Sequence, residues 1–138
     1  MIMARETVLV SLCAFGVPCR YHGQTHKMGH ELYKRKRVAA LMERYEVLPL
    51  CGEMLGGLPT PRPPCEVVEQ DGAIVVHERG GDRVYTREYF KGARQAVRLC
   101  EIYGVKKAYL LKNSPMCGPG YGILARMLEK HGIVVRPL

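Results

Sequence analysis

Apolar and polar positions divide the chain into short hydrophobic runs alternating with amphipathic stretches. Val8 to Phe15 is apolar, rich in β-formers and closed by Gly16 and Pro18, which predicts a strand buried on both faces with Cys13 near its C-terminal end. A polar loop from Arg20 to Gly29 follows. Glu31 to Tyr45 sets Leu32, Val38, Ala39, Leu41 and Met42 on one side and Lys34 to Arg37 opposite, the pattern of a helix. Val47 to Leu50 predicts a second strand, with Cys51 at its end. Gly52 to Cys65 has glycines near its start and then Pro59, Pro61, Pro63 and Pro64, so neither helix nor sheet is expected there. Long stiff loops of this kind are usually functional.

Glu66 to Glu69 and Ala73 to His77, joined around Asp71 and Gly72, predict a hairpin. Thr86 suits the N-cap of a helix reaching Tyr103 and stopped by Gly104. Lys107 to Leu111 predicts a strand, Asn113 to Gly122 is turn-rich, a helix spans Ile123 to Lys130, and Ile133 to Arg136 supplies a last strand. Strands alternating with helices imply an α/β fold: a small open, mainly parallel sheet with helices on both faces, Rossmann- or flavodoxin-like, with the hairpin as an insertion. At 138 residues the expectation is one domain over 1–138, and there is no internal repeat. Cys13, Cys51 and Cys117 each follow the C-terminal end of a predicted strand, the edge where ligands bind in open α/β sheets.

Composition narrows the class. The apolar share of 47% and charged share of 25% are ordinary globular usage. Lys and Arg outnumber Asp and Glu by 21 to 13, a bias toward anionic ligands or nucleic acid. The run from Val8 to Val17 lacks a small-x-small cleavage site, and no stretch approaches the roughly 18 apolar residues of a membrane span, so no membrane partner is expected. Six cysteines in a cytoplasmic chain point to thiols or metal ligands more than to disulfides.

Thiolates distant in sequence but gathered at one sheet edge hold soft metals or clusters. Three buried free thiols would leave the same pattern, and spacing alone does not separate the two readings. Cys19 is either a fourth ligand or, as we favour, a bystander. Cys65 is ambiguous, and Cys100, on a predicted helix beside Leu99, reads as a small hydrophobe.

Ser11 to Gly23 (SLCAFGVPCRYHG), Cys51 to Pro64 (CGEMLGGLPTPRPP) and Lys112 to Gly120 (KNSPMCGPG) together resemble the family that contains 2-thiouracil desulfurase. The resemblance implies a 4Fe-4S cluster on Cys13, Cys51 and Cys117, with one iron left free for the sulfur of a thioamide. It maps two catalytic candidates to Glu53 and Ser114. The chain departs from the family pattern at His22 (commonly Asp), Gly52 (Pro) and Met116 (Ser), and it lacks a longer insertion after Cys-Gly-x-Gly.

The activity so implied is non-redox desulfuration of a thiobase-like small molecule, C=S becoming C=O with release of hydrogen sulfide. Glu53 would handle protons, or else pair with Arg62 as a surface carboxylate. Ser114 would orient the reactants, or else only cap the turn before Pro115. Gly118 and Gly120, with Gly122, would let backbone amides approach the cofactor. His22, His26 and His30 crowd one polar loop, where surface histidines are the plainer reading. Two alternatives stand beside the enzyme: a cluster-based sulfide carrier serving a sulfur acceptor or tRNA thiolation, and a basic nucleic-acid-binding module built on Lys34 to Arg37, a run more often a solvated face. Oligomeric state is not legible.

Overall fold

A computed structural model describes residues 4–23 and 28–138, with side chains described over 4–23 and 35–138. Strand β1 (Thr7–Ser11) runs into a 3-10 turn over Leu12–Phe15. Helix α1 (Met28–Arg44), strand β2 (Glu46–Leu50) and a one-turn helix α2 (Gly52–Leu55) follow. Strands β3 (Cys65–Gln70) and β4 (Ala73–Glu78) lead to helix α3 (Thr86–Ile102), strand β5 (Lys107–Leu110), helix α4 (Ile123–Lys130) and strand β6 (Val134–Pro137).

The four strands β2-β1-β5-β6 form one parallel sheet. Alternate residues of β1 face opposite ways, as the period of two requires. Val8 and Val10 pack with Val38 and Leu41 of α1, while Leu9 packs on the other side with Ala93 and Val97 of α3 and Leu124 of α4. Helices therefore cover both faces, and β1 is buried from Val8 to Ser11. The β3-β4 pair is a separate antiparallel ribbon. Positive φ at Asp71 and Gly72, 51° and 80°, gives its two-residue turn the twist that hairpins favour.

Three local expectations are corrected. The first strand stops at Ser11, not Phe15, because Gly16 closes a turn with its N–H on the Cys13 carbonyl at 3.2 Å. Its left-handed φ of 83° suits glycine. Cys13 thus sits on the turn beyond the strand. Gly52–Leu55 is helical, although glycines usually weaken a helix, because α2 lies against α3 backbone to backbone. A Cβ on Gly92 would stand 1.8 Å from the Gly52 carbonyl oxygen, and one on Gly56 2.1 Å from that of Glu88. Finally, Tyr85 rather than Thr86 is the N-cap of α3. The Thr86 hydroxyl instead accepts the Val76 N–H at 2.9 Å, tying α3 to β4.

β1 has β2 on one side and β5 on the other, so successive crossovers leave it in opposite directions. This creates a crevice beyond the strand C-termini, where the loops diverge.

Candidate functional site

The loops after β1, β2 and β5 enclose a cavity of about 180 Å³, and Cys13, Cys51 and Cys117 all line it. Cys51 is the extended N-cap residue of α2. Cys117 lies in the turn before α4, fixed because Ser114 Oγ accepts the backbone N–H of Met116 at 3.2 Å and of Cys117 at 3.0 Å. Ser114 is therefore the turn cap that its position before Pro115 suggests, and it also faces the cavity.

Cys19 is a fourth cysteine at this cavity. It is buried there, at 3% exposed. The Cys13 contact, ahead of burial, pushes the Cys19 thiol up to about 11. Cys51 is raised as well, first by its bond with Cys19 and then by burial. Burial pushes the Cys117 thiol up to about 12. Without metal these thiols keep their protons, so metal binding must displace them. Cys65 also reaches the cavity wall. Cys100 is core, packed among α3, α4 and the sheet. All six cysteines are free.

Glu53, on α2, projects into the same space. It does pair with Arg62, but the pair is interior: the side chains are 12% and 2% exposed. Arg62 Nη2 donates to Glu53 Oε2 and also to the Cys19 carbonyl at 2.8 Å. Nη1 donates to the Pro59 carbonyl and to Thr60 Oγ1 at 3.1 and 3.0 Å. The other carboxylate oxygen accepts a 2.5 Å hydrogen bond from Tyr89 of α3. Burial, then the Glu53 charge, raises the Tyr89 phenol well above its usual range, so it remains a donor. The proline-rich loop is thus stiff for a reason: it holds Arg62 beneath both Glu53 and the Cys19 segment.

Gly118 and Gly120 do not line the cavity. The Gly118 N–H is committed to the Ser114 carbonyl at 2.8 Å, and a Cβ there would strike the Tyr121 ring, so its smallness serves the turn. His22 meets the Tyr21 ring at a tilt of 55°, ring centroids 4.8 Å apart, and stands outside the cavity wall. Burial, then the charges of Arg20 and Arg62, lowers its pKa. His26 and the side chains of His30 and Lys34 lie outside the described residues. Arg35 and Lys36 are exposed on α1, and Arg37 lies over Tyr109, 5.7 Å from the ring centroid.

Two departures from the family pattern meet in space. A Cβ on Gly52 would stand 2.8 Å from Met116 Cγ and 2.9 Å from its sulfur, so the Met116 side chain fills the room that glycine leaves.

Sequence reading missed Tyr89 and Ser11. Ser11 is buried, lines the cavity and accepts the Leu111 N–H at 2.9 Å. Its signal was a lone hydroxyl in an apolar run. Tyr89 gave only an aromatic at a helix position that faces inward.

No three Cys, His, Asp or Glu side chains among the described residues are grouped to hold a single metal ion. A cluster makes a different demand, because its ligands stand on separate irons around a body with volume. Cys13, Cys51 and Cys117 around a cavity, as soft sulfur donors, fit a cluster in that respect.

Residues 8–136 match the model of the 2-thiouracil desulfurase family. An uncharacterized protein of Bacillus subtilis (strain 168), YbbK, is 31% identical over 121 residues, covering 83% of this chain and 74% of that protein. The solved structure of the [4Fe-4S]-dependent thiouracil desulfidase TudS superposes with a TM-score of 0.79 at 32% identity, covering 96% of this chain and 91% of the other.

Proposed function

The chain belongs to the 2-thiouracil desulfurase family, and on that premise we propose that it is an enzyme removing sulfur hydrolytically from a thiouracil-like thiocarbonyl compound, with a 4Fe-4S cluster on Cys13, Cys51 and Cys117. The reaction balances without electrons: the thiocarbonyl and water give the carbonyl and hydrogen sulfide. The single observation that carries this reading is the convergence of those three cysteines with Glu53 on one cavity.

Bound there, a cluster with three protein ligands supplies a Lewis-acidic iron that polarises the thiocarbonyl. The rest falls to the chain. Each Glu53 oxygen already accepts one strong hydrogen bond and keeps a second lone pair, so the carboxylate is held in place yet able to take a proton from water. Ser114 accepts two amides and retains its own hydroxyl proton to orient a polar group of the substrate.

We read 1–138 as one iron–sulfur-binding domain. No described helix is long and apolar enough to cross a membrane, and the free thiols favour a reducing, cytoplasmic setting. One observation favours a sulfide carrier for a sulfur acceptor or tRNA: the chain goes from Cys117 to α4 through a tight turn, Gly122 N–H on Gly118 O at 2.8 Å, with no segment left there to cover the cavity.

Anaerobic reconstitution followed by a panel of thiobases tests the enzyme reading. Sulfide should appear from 2-thiouracil or a relative without any partner protein. Sulfide released only when an acceptor is added, from protein with an intact cluster, would replace the enzyme with the carrier.

A further inference from the structure

One buried side chain joins the turn before α4 to the first turn of α2. Met116 is 1% exposed, and its backbone is held twice: the N–H donates to Ser114 Oγ at 3.2 Å, and the carbonyl accepts the Leu124 N–H of α4 at 2.9 Å. From that fixed base the side chain occupies the space over Gly52. A Cβ on Gly52 would stand 2.8 Å from Met116 Cγ, 2.9 Å from Sδ and 3.1 Å from Cε, the nearest atoms it would meet.

The backbone does not ask for glycine at this position. Gly52 opens α2, and its φ is not among the positive ones. Cys51 before it is extended, with φ −119° and ψ 112°, a conformation that suits even a following proline. The first position of a helix accepts proline readily, since its N–H has no helical partner to lose. The need for a missing side chain at Gly52 therefore comes from Met116. At Gly56 and Gly92 a Cβ would strike backbone, but at Gly52 the obstacle is a side chain, so these two positions can change together.

Gly52 follows Cys51 and Met116 precedes Cys117, and all four line the cavity. Each end of the contact is thus one residue from a proposed ligand.

We propose that Met116 is a positioning residue of the cluster site, a wedge whose volume against Gly52 sets how Cys51 and Cys117 stand relative to each other. This rests on the cluster reading above. The wedge acts by shape, because a close-packed interior transmits strain from one segment to the next. A larger group at Gly52 forces α2 and Cys51 away from the turn that carries Cys117. A smaller one at Met116 leaves a void into which the two segments relax.

The test reconstitutes wild type, Gly52→Ala, Met116→Ala, the double variant and Met116→Leu anaerobically. Iron and sulfide per chain, visible circular dichroism of the bound cluster and the urea midpoint of the cluster-free protein are measured for each. The dichroism reports the setting of the ligands, which a loss of fold stability alone does not move. Gly52→Ala beside Met116 should lower iron content and alter the spectrum by more than the scatter of repeat reconstitutions. The same change beside Ala at position 116, with the wedge gone, should cost less of both, the non-additivity expected of residues in contact. Met116→Leu, close to methionine in volume, should stay nearer wild type than Met116→Ala.

Equal effects of Gly52→Ala in the two backgrounds would overturn the proposal. So would a lowered urea midpoint with unchanged iron and spectrum, which would make the contact packing alone. Met116→Leu that loses iron as Met116→Ala does would assign the role to the sulfur and overturn the argument from shape. Should Met116→Ala not fold, Gly52→Ala decides by itself, since wild-type iron and spectrum in that variant would overturn the wedge. Wild type that takes up no cluster would remove the functional reading, and this inference with it. A loaded wild type with uncoupled variants would remove only the inference.

Discussion

The Tyr89 hydroxyl donates to Glu53 Oε1 at 2.5 Å, joining the first turn of α3 to α2 across the cavity wall. A phenol so buried and so placed serves the carboxylate. Tyr89→Phe removes the donor without changing the packing, and hydrogen bonds to charged groups are worth ~1.5–3 kcal/mol. A stability loss in that range is expected by urea unfolding. Turnover should fall by on the order of tenfold, about 1.4 kcal/mol in barrier. Unchanged turnover in cluster-loaded Tyr89→Phe would mean that Arg62 alone positions Glu53.

Glu53→Gln is the sharper case. A surface pair would cost under about 1 kcal/mol, but Arg62 is interior, and removing one partner of a buried pair costs ~3–5 kcal/mol. The variant should therefore be measurably less stable. Rates compared per loaded cluster should still fall on the order of a hundredfold, as loss of a positioned acid or base commonly gives. A rate loss that merely tracks lost iron would assign Glu53 to structure.

Ligand assignment is read most directly from iron. Serine at Cys13, Cys51 or Cys117 should each abolish or cripple cluster loading, while Cys100→Ala, in the core away from the cavity, should load normally. Full iron in any of the first three would remove that residue from the ligand set.

Gly92→Ala tests whether the contact between α2 and α3 matters to the site. The new Cβ would meet backbone atoms, Gly52 O at 1.8 Å and Gly56 N at 2.9 Å, which no rotamer change relieves. Overpacking of this kind costs ~1–3 kcal/mol, and it displaces the helix that presents Cys51 and Glu53. Reduced iron loading should accompany the lower unfolding midpoint. Normal loading and stability would show that the helices separate freely.

Alkaline pH should weaken the cluster-free fold partly through Cys100. Burial, then the Glu101 charge, raises its thiol from 9.0 to about 11. A folded pKa above the unfolded one leaves that stability intact below about pH 9 and removes it as pH rises through about 11. The stability gap between wild type and Cys100→Ala should thus narrow between pH 8 and pH 11 in urea titrations. A constant gap would show that the thiol titrates alike in both states.

Much of this protein is written locally. Apolar runs and their punctuation give the alternating elements and the parallel sheet, because burial forces a period on each segment and Gly and Pro break it. The helix over Ile123–Lys130 agrees with the structure to the residue. The placement of Cys51 and Cys117 beyond strand ends follows from the same pattern. What the sequence could not express depends on groups that meet only across the fold. Gly52 read as a helix breaker, yet α2 forms because two backbones approach where no side chain fits. The alternative reading of Glu53 and Arg62 as a surface pair is wrong only about where the pair sits, since nothing in a proline-rich loop reveals that it packs inward. Hydrogen bonds and desolvation act over a few ångströms of space, and only the tertiary structure decides which residues share them.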